Sequence, residues 1–309
     1  MKNMEERPVK LTRSENNPIL TPDKNHSFEA QTLCNAGIAE YNGKIYILYR
    51  AEGYDKRENR LPTKRGITRL GLAVTSDGYT IEKRLKEPVI DREPDGTFAE
   101  HGVQDPRIAK IDDTYYIMCA AVSRWGDRLI MYTTKDFKTF SKFGYIQPEY
   151  EMRTAGLFPQ KFGDYYCCLL RYAPNMWISY TKDFKTWHKT KLLKEIEPFS
   201  WCGEKIGLGA TPIRQDNAWL LFWHGVSAGL DRKYHLGIMW LDLKDPSKIL
   251  KVQKEPILSP EADYEKKGFV DNVVYTCGAA ERNGKYLVYY GGADLVLAVA
   301  DVDVDRCRI

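Results

Sequence analysis

The sequence predicts an all-β chain folded as a five-bladed β-propeller. Three observations lead there. The heptapeptide T-K-D-F-K-T-F at Thr134–Phe140 returns as T-K-D-F-K-T-W at Thr181–Trp187, 47 residues later. Each copy follows an aromatic or apolar strand, Tyr115–Cys119 before the first and Tyr165–Leu169 before the second. Helical periodicity is scarce, and alternation with β-branched or aromatic runs dominates. Strand-only repeats of about 40–50 residues are the signature of propeller blades.

Three further units share the pattern. Gly43–Arg50 leads to Gly71–Tyr79. Ala218–Trp223 leads to Leu236–Leu243 and a turn at Lys244-Asp245-Pro246. Gly284–Tyr290 leads to Leu295–Val302. A second repeat interleaves with these five: Asn17–Pro22 resembles Glu255–Pro260, with Glu87–Ile90 between them. Its prolines suit outer-edge or blade-linking positions, where no ladder N–H is needed. Its recurrence at the start and before the last unit implies a ring that closes on itself. Single helical turns are expected at Leu192–Ile196 and Asp263–Lys267.

No linker or low-complexity tract divides the units, so residues 1–309 read as one propeller domain. Residues 1–15 read as an N-terminal arm, free or packed on a partner. The net charge of +4 is small and mixed in sign, which excludes a nucleic-acid footprint. The seven cysteines are scattered through apolar strands with no C-x-x-C pair, which argues against a metal site and for a reducing compartment. No apolar leader or bilayer-length run is present. The expectation is a cytoplasmic protein without membrane contact.

Propellers build ligand sites from inner strands and loops at one face. Polar residues recur at such strand ends: Asn35, Arg50, Asp105, Arg153, Arg171, Lys205, His224 and Asp294. Each also has a bland reading. Asp105 before Pro106 could form an Asx turn with Arg107 as its ion-pair partner. Arg50 and Arg171 could reach to solvent from strand ends. Lys205 could be an exposed loop lysine, since Gly207–Gly209 lacks the rest of a P-loop. His224 could be a core histidine. As a set they describe an anion site of two arginines, a lysine and a histidine, with Asp105 as a general acid if burial raises its pKa.

At these residues the chain resembles glycoside hydrolase family 130. The motifs that carry the resemblance are V-Q-D-P-R-I at Val103–Ile108, L-F-P-Q-K at Leu157–Lys161, E-K-I-G-L-G-A-T-P-I at Glu204–Ile213, W-H-G-V at Trp223–Val226 and Y-Y-G-G-A-D at Tyr289–Asp294. The resemblance spans about Asn17 to Asp303 and implies a five-bladed propeller. It implies an inverting β-mannoside phosphorylase that uses inorganic phosphate as co-substrate and gives α-mannose 1-phosphate. It assigns Asp105 as general acid, with its proton passing through the 3-hydroxyl of the −1 mannose. It assigns Arg153, Arg171, Lys205, His224 and Tyr234 to phosphate. Asn35, Arg50 and Asp294 fall at positions holding the −1 mannose, with Ala36 adjacent. No cofactor or metal is implied.

The reaction logic agrees. An inverting glycosidase needs an acid and a base that activates water, whereas phosphate is already a nucleophile. Cations can hold it opposite the leaving group. The chain departs from the family pattern at Gln104, where Glu is common, and at Met152–Gly156. The loop 54–69 is long and basic, which suits the acceptor side, an oligomer contact or plain solvent.

Two competing functions stand beside this one. A β-mannosidase of the same fold would need a base, for which Glu100, Glu151 and Glu204 are candidates. A non-catalytic glycan-binding propeller would not need Asp105. The acceptor could be glucose, N-acetylglucosamine or mannose, linked β-1,4 or β-1,2. The chain length points toward the manno-oligosaccharide branch and β-1,4. Homo-oligomer formation is left open.

Overall fold

The chain forms five antiparallel sheets in a computed structural model, which describes residues 7–53, 66–147, 149–230 and 232–309. The basic loop lies outside the described residues over 54–65, as does the start of the arm, 1–6. A short strand β1 (Thr12–Arg13) opens the described chain. Blade 1 follows with β2 (Thr32–Tyr41), β3 (Lys44–Gly53), β4 (Ile67–Thr75) and β5 (Lys83–Arg84). Blade 2 is β6 (Val103–Ile111), β7 (Thr114–Ser123), β8 (Gly126–Thr134) and β9 (Ser141–Ile146). Blade 3 is β10 (Ala155–Phe162), β11 (Tyr165–Leu170), β12 (Met176–Thr181) and β13 (Trp187–Lys194).

Blade 4 comprises β14 (Lys205–Leu208), β15 (Ile213–Arg214), β16 (Ala218–Val226), β17 (Tyr234–Asp242) and β18 (Ile249–Val252). After the single turn α1 (Asp263–Lys266), blade 5 is β19 (Val274–Arg282), β20 (Lys285–Gly292) and β21 (Val296–Asp303). Its fourth strand is β1, which pairs Thr12 with Asp301 and Arg13 with Ala300. The described part of the N-terminal arm is therefore not free: it closes the ring from within the same chain. Val9 and Leu11 are buried between blades 4 and 5, and Arg13 grips the buried Glu265 at 2.8 and 2.9 Å. Of the two expected helical turns, the second is α1. The first instead enters β13, whose Lys191 and Leu192 pair with Ile178 and Trp177.

The T-K-D-F-K-T repeat is the turn between the third and fourth strands. Thr134 Oγ1 accepts from the Phe137 amide at 3.1 Å, and Asp136 Oδ1 accepts from Lys138 and Thr139 at 2.9 Å. Thr181, Asp183 and Phe184 repeat the pattern at 2.8–2.9 Å. These local bonds hold each phenylalanine in the left-handed region, φ 55° at Phe137 and 60° at Phe184, where a bulky residue is rare. Burial explains the choice. Phe137 packs on Tyr46 of blade 1 at 4.8 Å, and Phe184 on Tyr116 of blade 2 at 5.9 Å. Each wedges its own blade against the one before. In blade 1 the same turn carries Gly78, φ 91°, because Leu287 of blade 5 fills the place of a side chain, while Tyr289 donates to the Gly78 carbonyl at 2.8 Å.

The core follows the ring. Five apolar clusters lie between blades 5 and 1, 1 and 2, 2 and 3, 3 and 4, and 4 and 5. Both faces of most strands are therefore buried, which is why continuous apolar runs such as Ala218–Trp223 replace strict alternation. The interleaved proline segments link blades: Leu20, Ile90 and Leu258 bridge to Leu297, Leu70 and Leu236 on third strands.

Candidate active site

The innermost strands carry the first ring of polar residues. In β2 the pairing with β3 shifts between Cys34 and Gly37, and in β6 the pairing with β7 shifts between Gln104 and Arg107. Each irregularity puts one residue in the left-handed region: Asn35 at φ 49° and Asp105 at φ 55°. Asn and Asp tolerate that conformation better than other side chains. Bulges re-aim side chains, and here they bring Asn35 Nδ2 to 2.9 Å from Asp105 Oδ1.

The second strands of four blades carry the other ring. Arg50 lies near the end of β3, Arg171 directly after β11, His224 in β16, and Asp294 just after β20 at φ 51°. Together with the inner residues they enclose a cavity of about 310 Å3. Asn35, Arg50, Asp105, Arg153, Arg171, Lys205, Tyr234 and Asp294 all line it. Two of the residues expected from the sequence do not. Ala36 is wholly buried in the apolar layer between blades 1 and 5. His224 is wholly buried behind Arg171, with its Nε2 3.5 Å from Arg171 Nη1.

Charge is divided across the cavity. On one side, buried Arg50 donates to Glu52 at 3.0 Å and lies 3.7 Å from Asp105 and 3.8 Å from Asp294. On the other, Arg153 lies 3.9 Å from Asp105 and 3.5 Å from Asp127, outside normal hydrogen-bond reach of either. Arg171 and Lys205 likewise form no hydrogen bond to a carboxylate among the described residues. Three cations thus face one space without a committed anion.

The electrostatics correct two expectations. Burial does oppose ionisation of Asp105, but Arg50, Arg153, the Asn35 amide and Arg107 outweigh it. The carboxyl is held below the usual aspartate range, not above it. Burial, then Arg171, Arg107 and Lys205, push His224 well below the usual histidine range. It is a neutral imidazole lying against Arg171, not a fourth cation. Burial and the neighbouring Arg153 and Arg107 also push Arg171 down, against the pull of Tyr275 and Tyr234. An anion in the cavity would relieve that repulsion.

Arg107 is not the ion-pair partner of the Asp105 carboxylate. Its guanidinium donates to the main-chain carbonyl of Asp105, to the carbonyls of Leu208 and Gly209, and to the Tyr275 hydroxyl, all within 3.1 Å. The three candidate bases are elsewhere. Glu100 is clamped by Arg124 at 2.7 and 2.9 Å, Glu204 by Arg232 at 2.7 and 2.8 Å, and Glu151 lies against Gly126. None of the three lines the cavity.

Arg232, Tyr275, Val270 and Val273 also line the cavity and were not expected from the sequence. Tyr275 could have been sought from the phase of β19, whose start is equivalent to those of β2 and β6. Arg232 sits in a turn with no repeat signal.

A family model described as β-1,4-mannooligosaccharide phosphorylase, in glycoside hydrolase family 130, matches residues 4–307. A 1,2-β-oligomannan phosphorylase of Thermoanaerobacter sp. (strain X514) is 36% identical over 301 residues, spanning 96% of this chain and 98% of its own. A β-1,2-mannobiose phosphorylase of the same strain is 35% identical over 308 residues, spanning 97% and 99%. The solved structure of a Listeria innocua β-1,2-mannobiose phosphorylase with β-1,2-mannobiose superposes with a TM-score of 0.84 at 28% identity, covering 97% of this chain and 98% of that one.

Proposed function

The chain belongs to glycoside hydrolase family 130 and is a β-mannoside phosphorylase, and from that premise we propose an inverting phosphorolysis in the central cavity with Asp105 as general acid. The observation that carries this reading is the unequal division of charge. Arg153, Arg171 and Lys205 face the cavity without a hydrogen-bonded carboxylate, and Glu100, Glu151 and Glu204 all lie outside it. Such a site favours a bound dianion over a water activated by a carboxylate base.

Asn35, Arg50 and Asp294 hold the −1 mannose in this reading. Phosphate rests on Arg153, Arg171, Lys205 and Tyr234, with His224 bracing Arg171 from behind. A phosphate oxygen attacks the anomeric carbon as the bond from that carbon to the glycosidic oxygen breaks. The departing oxygen takes the proton of the mannose 3-hydroxyl, and that hydroxyl takes one from Asp105. The products are α-mannose 1-phosphate and the shortened acceptor. The Asp105 carboxylate left behind is stabilised by Arg50 and the Asn35 amide, 3.7 and 2.9 Å away.

The low pKa of Asp105 beside Arg50 and Arg153 fits this sequence of events. Phosphate would neutralise Arg153 and so help Asp105 keep its proton. Inorganic phosphate enters as co-substrate. Both named Thermoanaerobacter relatives act on β-1,2 linkages by name, whereas the family description is β-1,4. A β-1,2-mannoside is therefore the substrate favoured here, in place of the β-1,4 preference suggested by chain length. The cytoplasm is the proposed compartment, since all seven cysteines are buried and free.

The test incubates the enzyme with β-1,2- and β-1,4-linked mannobiose, with and without phosphate, and identifies the products by 31P NMR. Phosphate-dependent release of α-mannose 1-phosphate supports the reading. Free mannose released at the same rate without phosphate overturns it.

A further inference from the structure

We propose that Arg232, locked in place by Glu204, is a positioning residue that aims the Tyr234 hydroxyl proton at phosphate. The inference rests on the phosphate reading above and adds two residues to it. Lys205, Val226 and Tyr234 form one cross-strand row in blade 4, Lys205 opposite Val226 on β14–β16 and Val226 opposite Tyr234 on β16–β17. Lys205 and Tyr234 thus reach the cavity from strands two apart. The Lys205 ammonium stands 5.2 Å from the centroid of the Tyr234 ring, and the Arg232 guanidinium stands 5.0 Å from it. Both distances suit cation–π contact.

The direction of one hydrogen bond then fixes another. Arg232 Nη2 lies 3.2 Å from the Tyr234 hydroxyl. A guanidinium only donates, so the phenol oxygen is the acceptor. The phenol's own proton must be given elsewhere, and no acceptor for it exists among the described residues. Tyr234 lines the cavity, so the open direction is toward the space faced by Arg171 and Lys205. Phosphate is rich in acceptor oxygens, which suits a hydroxyl constrained to donate. Accepting from a cation also makes the phenol a stronger donor.

Glu204 explains why Arg232 stays beside the tyrosine. Its two carboxylate oxygens take Nε at 2.7 Å and Nη2 at 2.8 Å, a fork that fixes the plane of the guanidinium. The same carboxylate is 4.0 Å from Lys205. Glu204 is thus engaged as an anchor, the use that removes it from the list of bases.

The experiment measures phosphate binding by calorimetry without mannoside, and phosphate and mannoside KM by initial rates, for wild type, R232M, R232K, Y234F and R232M/Y234F. R232M and Y234F should each weaken phosphate binding about fivefold to tenfold, the worth of one hydrogen bond. The double variant should be no weaker than Y234F alone, because Arg232 acts through the hydroxyl that Y234F lacks. R232K, which keeps a donor, should recover part of the loss, and mannoside KM should move less than about twofold in all four. Multiplying penalties in the double variant, or unchanged phosphate binding in both R232M and R232K, overturns the assignment. A wild type that binds phosphate yet cleaves mannosides without it sinks the phosphorylase reaction and leaves the positioning role intact. A wild type that does not bind phosphate sinks both.

Discussion

Arg107 donates Nη1 to the main-chain carbonyl of Asp105 at 3.1 Å, and so grips the strained residue by its backbone, with no hydrogen bond to its carboxylate. Its other donors reach β14 of blade 4 and Tyr275 of blade 5. Removing the guanidinium strands three buried carbonyls near the axis. R107M is expected to lose about 3–5 kcal/mol of stability in urea denaturation. A loss under about 1 kcal/mol would show that the axis does not depend on this residue.

Asp105 is the residue on which the proposed chemistry turns. D105N keeps the shape and the Asn35 neighbour but has no proton to give. Its kcat/KM for phosphorolysis should fall at least about a thousandfold, with the melting temperature within a few degrees of wild type. A purified, folded variant that kept most of its activity would remove Asp105 from the mechanism.

Arg171 offers a test of the phosphate side alone. R171A should raise phosphate KM about tenfold to a hundredfold, the range for losing a charge-assisted hydrogen bond, and raise mannoside KM much less. Equal increases in both would place the residue outside the phosphate site.

The depressed pKa of Asp105 predicts a pH dependence with a definite sign. The acid must be protonated to act, so the alkaline limb of the rate profile follows its pKa. Phosphate neutralises Arg153, which is among the groups that depress it. At saturating phosphate the alkaline limb should lie about one pH unit or more above its position at limiting phosphate. Coincident profiles would uncouple phosphate from the acid.

His224 makes a stability prediction. Its folded pKa lies well below the unfolded value of 6.5, so it binds a proton more readily when unfolded. Its contribution is complete above pH about 6.5 and is lost as pH falls toward the folded value. H224Q should therefore flatten the decline of stability below pH about 6.5, measured by denaturant titration at stepped pH. An unchanged slope would mean that His224 is not neutral in the fold.

The sequence read best where the repeat sets a phase. Arg50, Arg171, His224 and Asp294 were found because their strands are apolar, regular and equivalent. Asn35 and Asp105 were legible as strand-end polar residues, but not their left-handed backbone, which a bulge imposes within the sheet. That bulge is also why Arg107 was misread. Spacing suggests a side-chain ion pair two residues apart, whereas the carboxylate turns into the cavity and leaves the carbonyl to Arg107. Arg232 was illegible because it sits in a turn and gains meaning only from Glu204, 28 positions away. Ala36 shows the opposite error: it adjoins a site residue in sequence, yet its side chain points into the apolar layer.

The closure of blade 5 by β1 also bears on synthesis. Of the described strands, β1 is made before all the others and must wait for β21 before it can pair. Asn35 of blade 1 and Asp294 of blade 5 line the same cavity across the junction of the first and last blades. Blades 2, 3 and 4 can pair locally during translation, but the binding cavity cannot be complete until blade 5 has been made and β1 has paired with β21. Activity thus serves as a check that blade 5 has been made: a polypeptide cut short before residue 296 holds Asp105 and every proposed phosphate ligand, but lacks the strand with which β1 closes the ring.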